Sequence, residues 1–342
     1  MNSEPQFREN VFLGDLNSLG IAARARYFVS VTSVEALQQA LDWASARAVE
    51  PLILGGGSNL VFAGDFPGLV IRMAISRRCW ERIDGDEATL VLGAGENWHD
   101  SVLYAASAGY RGIENLALIP GTVGAAPVQN IGAYGTELRD TLVDVSALDR
   151  HNGHEITLTN SLCHFSYRDS VFKHEPGRYV ITTVRLRLSR SRPFSLDYRD
   201  LAEYFEGQDV HDLTPLDVAR GVMSVRRRKL PDPAQLPNAG SFFKNPVVPL
   251  ETWRTLQKSY PDIAGYPGDD NAKVAAAWLI DQCGWKGYRN GKVGVHNRQA
   301  LVLVNHSNGS GQDVLALADR IRNDVQARFG IALEMEPGVV GG

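Results

Sequence analysis

Two glycine-rich segments in the first half of this 342-residue chain restrict its fold more than any other feature. The first has the sequence Gly-Gly-Gly-Ser-Asn at 55–59, between the apolar runs Pro51–Leu54 and Leu60–Phe62. The second, residues 119–135, holds four glycines and two prolines and has no helical period. A strand that breaks into a glycine turn and returns to apolar chain predicts a loop lying close beneath a ligand.

Consecutive glycines let backbone N–H groups approach an anion without interference from side chains. Segment 55–59 lacks the Lys-Ser/Thr ending of a P-loop and the glycine spacing of a Rossmann turn, and a triple glycine alone is more commonly a tight turn. Two such loops in one half of a protein are expected when an extended dinucleotide is bound along its length. The pair is therefore a candidate phosphate cradle.

Strand and helix signals are mixed along the whole chain, without an internal repeat, which indicates an α+β protein. Thr32 and Glu35 predict a capped helix, and 97–108 and 273–283 predict two more. The turn at 151–153 predicts a β-hairpin. The chain changes character near residue 215, where Thr214 and the following proline predict the start of a helix. The predicted domains are 1–75, 76–215 and 216–342.

Composition excludes several classes of protein. A formal net charge of −4 argues against a general nucleic-acid binder. The sequence contains no run of 18 consecutive apolar residues, which is the length that a membrane-spanning helix needs. The first residues have neither the basic start nor the apolar core of a secretory signal. Cys79, Cys163 and Cys283 lie far apart, as in proteins of a reducing compartment, so a cytoplasmic protein is expected. The histidines and cysteines show no metal-ligand spacing, and no metal is predicted.

Two polar side chains are candidates for chemistry. Arg168 lies in a segment with two aromatic residues and before a predicted strand, which favours partial burial over a surface charge; a planar guanidinium there can bind a carboxylate through two hydrogen bonds. Ser241 is preceded by small residues and followed by two phenylalanines. A structural turn and a functional hydroxyl remain equally open for it. Without an adjacent base, a functional Ser241 favours proton donation over nucleophilic attack.

Charged residues near the C-terminus leave their roles open. The basic run 226–229 is either a solvated helix end or, beside a substrate site, a group that neutralises a diphosphate. Glu334 and Glu336 follow at the end of the chain, and the pattern does not decide between them.

Taken together and in order, these segments resemble the UDP-N-acetylenolpyruvoylglucosamine reductases, the MurB family, over residues 12–336. The resemblance lies in these motifs: 55–59, 119–124, 129–135, 165–170, 229–233, 238–246, 276–282 and 299–303. It implies a two-subdomain FAD-binding fold of the vanillyl-alcohol-oxidase (PCMH) type, followed by a C-terminal α+β substrate domain. It also implies non-covalent FAD, NADPH as co-substrate, a UDP-sugar substrate and a monomeric chain.

The implied reaction has two halves: NADPH reduces FAD and leaves, and the enolpyruvyl sugar then takes hydride at C3. By the resemblance, Arg168 stabilises the resulting enolate, Ser241 gives a proton to C2, and Glu336, with Glu334 as the alternative, hydrogen-bonds the intermediate. The implied FAD contacts are Gly55, Gly56, Gly57, Ser58, Asn59, Pro120, Gly121, Thr122, Gly124, Asn130, Gly132, Ala133 and Tyr134. The implied substrate contacts are Tyr167, Lys229, Asn245, Tyr266, Gln299 and Tyr198, a loop tyrosine typical of the type I enzymes.

The chain departs from the family pattern after Glu336, where Pro337 stands in place of the usual Val-Arg. Because proline cannot donate a ladder hydrogen bond, the last strand is expected to end at Glu336. Two rival functions remain open: a flavin oxidase of the same fold, and a flavin- or UDP-sugar-binding protein without catalysis. The oxidases commonly attach FAD through a His or Cys, which the glycine loops lack, and a non-catalytic binder should lack the set of Arg168, Ser241 and the glutamate.

Overall fold

The computed structural model describes residues 5–341 and divides into two compact units, each of which is discontinuous in sequence. The first unit contains residues 5–11, Arg26–Gly56 and Pro67–Arg228. The second contains Phe12–Ala25, Gly57–Phe66 and 229–341. The domains predicted from the sequence, 1–75, 76–215 and 216–342, stay a prediction. The two units are defined by packing, and each contains short segments that lie, in sequence, among the residues of the other.

The strands and helices follow one another along the chain in mixed order. The strands are β1 Arg8–Phe12, β2 Arg24–Val31, β3 Pro51–Leu54, β4 Leu60–Phe62, β5 Phe66–Met73, β6 Arg78–Asp84, β7 Glu87–Gly93, β8 Gly132–Ala133, β9 Thr136–Glu137, β10 Leu142–Asp149, β11 His154–Thr159, β12 Tyr179–Ser189, β13 Asn238–Ser241, β14 Val247–Pro249, β15 Gly265–Pro267, β16 Asn271–Val274, β17 Arg289–Asn290, β18 Val293–Val295, β19 Val302–Asn305 and β20 Gly338–Val340. The helices are α1 Val34–Ala46, α2 Trp98–Ser107, α3 Val171–His174, α4 Arg199–Tyr204, α5 Pro215–Lys229, α6 Leu250–Ser259, α7 Ala276–Gln282 and α8 Gly311–Phe329.

The first unit is built on two sheets that share one apolar core. One sheet has the order β1-β2-β5-β3, with β3 and β5 parallel, and the other is antiparallel with the order β11-β10-β12-β7-β6. The helix α1 buries Leu37, Ala40, Leu41 and Ala44, which recur at helical spacing along one face. Residues of α2 and α5 complete the same core.

The second unit contains three smaller sheets and the long helix α8. Its sheets are β13-β19-β18-β17, β14-β16-β15 and the parallel pair β20-β4. Ser310 caps α8 in a capping box with Asp313, and left-handed Gly330 ends it. The stretch 12–25 joins this unit through backbone and side-chain hydrogen bonds, including Asn238 N–H to the Ser18 carbonyl at 2.9 Å.

Several predicted elements are confirmed, and two need correction. The predicted helix at 97–108 is confirmed as α2, with Asn97 as its N-cap and not its first residue, and β10 and β11 form the predicted hairpin. The Thr32–Glu35 capping box is wrong, because the adjacent Ser33 is the N-cap and its hydroxyl accepts from Ala36 N–H. The predicted helix 273–283 is also wrong at its start: its first residues belong to strand β16, and α7 begins only at Ala276.

Candidate active site

The two glycine loops meet within the first unit at backbone-to-backbone distance. A Cβ atom added at Gly55 would lie 2.4 Å from the Thr122 Oγ1, and one added at Gly56 would lie 2.8 Å from the Gly121 Cα. Because real side chains are excluded at these distances, only glycine allows the loops to pack together. In glycine-rich backbone of this kind, N–H groups can approach an anion without intervening side chains.

A cleft of about 150 Å³ opens beside this contact. Its walls combine loop residues with apolar side chains, among them Gly55, Thr122, Gly124, Ile53, Val128 and Ile181. Apolar walls suit an aromatic ring system, and the glycine loops suit a diphosphate. The residues present therefore fit FAD.

The second glycine loop is held in place by the chain that leads into α2. Gly124 N–H donates to the Ala94 carbonyl at 2.9 Å, and Val123 N–H donates to the Glu96 carbonyl at 2.9 Å. Trp98 N–H donates to the Gly121 carbonyl at 3.1 Å. These bonds fix the loop backbone before any ligand binds. Pro120, at its start, is exposed.

The end of the first glycine motif belongs to the second unit. Gly57 has φ +62°, and a Cβ there would lie 2.0 Å from the Leu16 carbonyl oxygen, so this position also requires glycine. Ser58 and Asn59 are half-buried. The Asn59 side chain donates from Nδ2 to the Glu336 carbonyl at 3.3 Å. Asn59 is thus tied to the C-terminal segment that carries the candidate glutamate.

The predicted FAD contacts at 130–134 differ in what they present. Asn130 is fully buried, and its Nδ2 donates to the Glu137 carboxylate at 3.0 Å and to the Ser166 carbonyl at 3.1 Å. The Asn130 side chain therefore shapes the loop. Gly132 and Ala133 form the short strand β8, and Tyr134 follows with φ +49°.

Arg168 lies directly beside this loop, in the same unit. Its Nη2 donates to the Gly132 carbonyl at 2.7 Å, and its guanidinium carbon lies 5.5 Å from the centre of the Tyr167 ring. Arg168 has φ +55°, a left-handed backbone conformation that is strained for a non-glycine residue. Lys173 supports it by donating from Nζ to the Arg168 carbonyl at 3.0 Å. The predicted partial burial of Arg168 is confirmed, since the residue is half-buried.

Arg226, which the sequence shows only as part of a basic run, is distinguished by its surroundings in the structure. Its Nε is buried and has no hydrogen-bond acceptor within residues 5–341, whereas the same side chain bonds Tyr134. Burial, and less strongly Arg168, lowers the pKa of Arg226. A signal was available: Arg226 lies four residues after buried Val222, on the core-facing side of α5.

Tyr134 and Tyr198 contact each other edge to face. Their ring centroids are 5.2 Å apart at 88°. Burial raises the pKa of the Tyr134 hydroxyl, which keeps it protonated and able to act as a hydrogen-bond donor. Tyr198 precedes α4 as its N-cap residue and is 40% exposed. The structure therefore brings together Arg168, Arg226 and the two tyrosines in the first unit.

The second unit brings Ser241 and Glu336 to neighbouring positions. Ser241 is the last residue of β13 and pairs with Val302. The next residue, Phe242, accepts a backbone hydrogen bond from Glu336 N–H at 2.9 Å, and Phe243 pairs with Met335 as an antiparallel bridge. The chain that follows Ser241 and the chain that ends at Glu336 therefore run side by side.

The expectation that the last strand ends at Glu336 is wrong. Beyond Pro337 the chain forms β20, which pairs in parallel with β4. Pro337 needs no ladder donor there, because it stands between the pairing at 335–336 and the pairing at Gly338–Val340. The Glu336 backbone is thus held by hydrogen-bonded chain on both sides.

Glu334 differs from Glu336 in its surroundings. It is 70% exposed and forms an ion pair with Lys244, whose side chain is 15% exposed. Glu336 is half-buried and is followed by the buried Pro337. Partial burial is what a carboxyl group needs to act near the reacting atoms, so the structure favours Glu336 over Glu334.

The remaining predicted substrate contacts are dispersed. Asn245 accepts a hydrogen bond from Ala276 N–H at 3.0 Å and so marks the start of α7. Gln299 accepts from Leu301 N–H at 3.3 Å, next to the backbone bond that joins Leu301 to Phe242. Tyr266 is exposed on β15, and Lys229 is exposed at the end of α5.

Within residues 5–341, no group of three or more His, Cys, Asp or Glu side chains could hold a metal ion. In the same range, no helix has the length and apolar character needed to cross a membrane.

Comparisons with known proteins agree with this geometry. Residues 25–159 match the model of an FAD binding domain, and residues 232–340 match that of the UDP-N-acetylenolpyruvoylglucosamine reductase C-terminal domain. The reductase of Chromobacterium violaceum is 50% identical over 97% of this chain and 98% of its own length. That of Pseudomonas aeruginosa strain PAO1 is 47% identical over 98% and 99%.

Solved structures support the fold. The MurB reductase from Thermus caldophilus matches 98% of this chain and 99% of its own, with a TM-score of 0.67 and 27% identity. A VAO-type flavoprotein from Myceliophthora thermophila matches 90% of this chain and 70% of its own at a TM-score of 0.50; at 14% identity it supports the fold alone. The predicted FAD-binding fold with a C-terminal α+β domain is confirmed. The chain belongs to the UDP-N-acetylenolpyruvoylglucosamine reductase (MurB) family.

Proposed function

We propose that this chain reduces the enolpyruvyl group of UDP-N-acetylglucosamine enolpyruvate to a lactyl group, with FAD as cofactor and NADPH as electron donor. The product is UDP-N-acetylmuramate, a precursor of peptidoglycan. Sequence identity to proteins named as reductases, over nearly the full length of the chain, supports this assignment. The observation that carries it is the backbone bond from Glu336 N–H to the Phe242 carbonyl, because it sets the glutamate next to Ser241.

Bound FAD supplies hydride transfer, from NADPH and then to C3 of the enolpyruvyl group. The glycine loops would hold its diphosphate through backbone N–H groups: Gly55 and Gly56 from the first loop, and Gly121 and Thr122 from the second, while the bond from Gly124 N–H to the Ala94 carbonyl holds the second loop in place. Their close packing fixes those donors in advance, so no side chain has to reorganise on binding. Ser58, Asn59, Pro120, Gly132, Ala133 and Tyr134 stay proposed FAD contacts, and Asn130 is proposed to shape the loop between them.

Arg168 would stabilise the charge that develops on the substrate. Hydride addition at C3 drives electrons into the carboxylate and produces an enolate-like dianion, which needs cationic stabilisation in the site. The hydrogen bond to the Gly132 carbonyl fixes one edge of the Arg168 guanidinium. Arg226 lies close enough to Arg168 for the two charges to disfavour each other. Two guanidinium groups together suit an anion with more than one negative charge.

Ser241 would complete the reaction by giving a proton to C2. A serine hydroxyl is a very weak acid, so a donor nearby must stabilise the alkoxide as it forms. Glu336, if protonated, can hydrogen-bond the intermediate at that moment. Its backbone is anchored to Phe242 and Asn59, which limits how far the carboxyl group can move.

The remaining polar residues are proposed to position the UDP-sugar. Tyr167, Tyr198, Lys229, Asn245, Tyr266 and Gln299 supply hydroxyl, amide and ammonium groups of the kinds that bind phosphates and sugars. The exposure of Tyr198 and Tyr266 fits residues that close over a substrate after it binds.

Product analysis tests the proposal. The purified protein is incubated with FAD, NADPH and UDP-N-acetylglucosamine enolpyruvate, and the UDP-sugar is followed by mass spectrometry. We expect one NADPH to be consumed for each sugar that gains two hydrogens. NADPH consumption at the same rate without the sugar, or an unchanged sugar mass, contradicts the reductase function and favours a flavin oxidase.

A cytoplasmic location and a monomeric state are further proposals. Cys79, Cys163 and Cys283 are free thiols, as is usual for proteins of reducing compartments. Fractionation of cells expressing the chain tests the location. Light scattering during gel filtration tests the monomer, and a particle of twice the chain mass contradicts it.

A further inference from the structure

The second glycine loop depends on a side chain that the reaction does not use. Three backbone hydrogen bonds join the loop itself to residues 94–98. The segment before the loop is held by two side chains at the start of α2. Trp98 Nε1 donates to the Leu116 carbonyl at 3.1 Å, and His99 Nδ1 accepts from Leu118 N–H at 3.1 Å. The imidazole of His99 is the one member of this set that can change protonation near neutral pH.

The position of Leu118 makes this bond consequential. Leu118 has φ +58°, so its backbone is held in a left-handed conformation that a leucine does not readily adopt. It stands two residues before Pro120, at the entrance to the loop that packs on the first glycine motif. Loss of the His99 acceptor leaves the Leu118 N–H without its partner and allows this turn to relax. The loop N–H groups downstream would shift with it.

The surroundings of His99 keep its ring neutral. Burial lowers the pKa of His99, and Arg227 and Arg226 lower it further, while Asp100 alone acts in the opposite direction. The ring also lies in the first turn of α2, where the positive end of the helix dipole disfavours a cation. With Nδ1 accepting from Leu118, the proton of the neutral ring resides on Nε2.

We propose that His99 is a positioning residue for FAD: its neutral ring holds the Leu118 turn, and protonation of the ring loosens the loop and weakens FAD binding. The inference rests on the proposed use of this loop for FAD, and it is independent of the sugar substrate. The sign follows from the lowered pKa. Above the ordinary histidine pKa of about 6.5 the ring is neutral, and FAD binds with its full affinity. The affinity falls as the pH drops through the lower pKa of His99 in the folded protein.

Two substitutions separate the acceptor from the charge. His99→Asn places an amide oxygen near the position of Nδ1 and cannot be protonated, whereas His99→Leu removes the acceptor. His154→Asn, on the exposed strand β11, serves as the matched control. FAD dissociation from each protein is measured by flavin fluorescence between pH 8 and about pH 5, over the range in which histidine titrates.

We expect wild type and His154→Asn to lose FAD affinity as the pH falls, and His99→Asn to lose clearly less. At pH 8, His99→Leu should bind FAD about fivefold more weakly than wild type, the effect of one lost hydrogen bond. If His99→Asn shows the same pH slope as wild type, His99 is not the switch. A folded His99→Leu with wild-type affinity overturns the positioning role.

The result is distinguishable from failure of the proposed function. A wild-type protein that binds no FAD at any pH overturns both the cofactor assignment and this inference. A protein that binds FAD with the expected His99 dependence but leaves the enolpyruvyl sugar unchanged supports the inference and contradicts only the substrate assignment.

Discussion

The contact between the glycine loops allows one substitution to be worked out in detail. In Gly56→Ala, the new Cβ lies 2.8 Å from the Gly121 Cα and 3.3 Å from the Gly121 carbonyl carbon. Carbon atoms pack at about 3.5–4.0 Å, so the loops must separate by roughly 1 Å. A shift of this size removes at least one N–H hydrogen bond to the FAD diphosphate, about 2 kcal/mol. FAD should then bind about 30-fold more weakly.

The assay is titration of the apoprotein with FAD, followed by flavin fluorescence, together with thermal unfolding of each variant. Overpacking lowers the free energy of unfolding by about 1–3 kcal/mol, so Gly56→Ala should still be folded. Gly338→Ala is the matched control, because a Cβ there meets nothing within 4 Å. A folded Gly56→Ala protein with an FAD Kd within about twofold of wild type would refute the role assigned to the loop contact.

Four further substitutions test the site residues. Ser241→Ala should leave flavin reduction by NADPH intact and slow reoxidation by the sugar about 10²–10⁴-fold, measured by stopped flow; equal slowing of both steps removes the proton-donor role. Glu336→Gln should lower kcat roughly tenfold or more by the same argument. Glu334→Gln breaks the ion pair with Lys244 and should leave kcat unchanged. Arg226→Met should raise the KM for the UDP-sugar about tenfold, since the Nε lacks an acceptor in the described chain and is available to an anion; a lower Tm with an unchanged KM indicates that the side chain acts only through its bond to Tyr134.

Local features of the fold were predictable where one residue dominates the local chemistry. Thr214 is a capping residue before α5, which begins at Pro215 as predicted, and the helix predicted at 97–108 is α2, which Asn97 caps. Thr32 failed because Ser33, an equally good cap, stands next to it. At 273–283 the alternation of β16 runs directly into α7, and a long-range bond, in which Ala276 N–H donates to the Asn245 side chain, marks where the helix begins.

Long-range features were not predictable from local pattern. Nothing in the sequence of Leu60–Phe62 indicates that it pairs with Gly338–Val340, since parallel partners need no sequence proximity. The same holds for residues 12–25, which pack in the second unit. The prediction that the last strand ends at Glu336 was wrong because the chain leaves one strand pairing before Pro337 and enters another pairing after it.

The candidate site divides in the same way. The glycine loops are visible in sequence because their chemistry is in the backbone, which requires glycine at each close approach. Arg168 and Ser241 were candidates from their local sequence, whereas their roles in the reaction, and the choice of Glu336, came from the family resemblance. The burial of Arg226 depends on tertiary contacts, although its helical spacing from Val222 was a usable signal. The bond that Leu118 N–H donates to His99 also depends on tertiary contacts.

The most direct test of the central claim is an anaerobic absorbance experiment on the FAD-loaded protein in a single cuvette. The flavin band should bleach when NADPH is added and return when UDP-N-acetylglucosamine enolpyruvate is added in the absence of oxygen. A flavin that bleaches with NADPH and stays reduced in the presence of the sugar would contradict the reductase function. A protein that takes up no FAD would contradict the cofactor assignment on which the account depends.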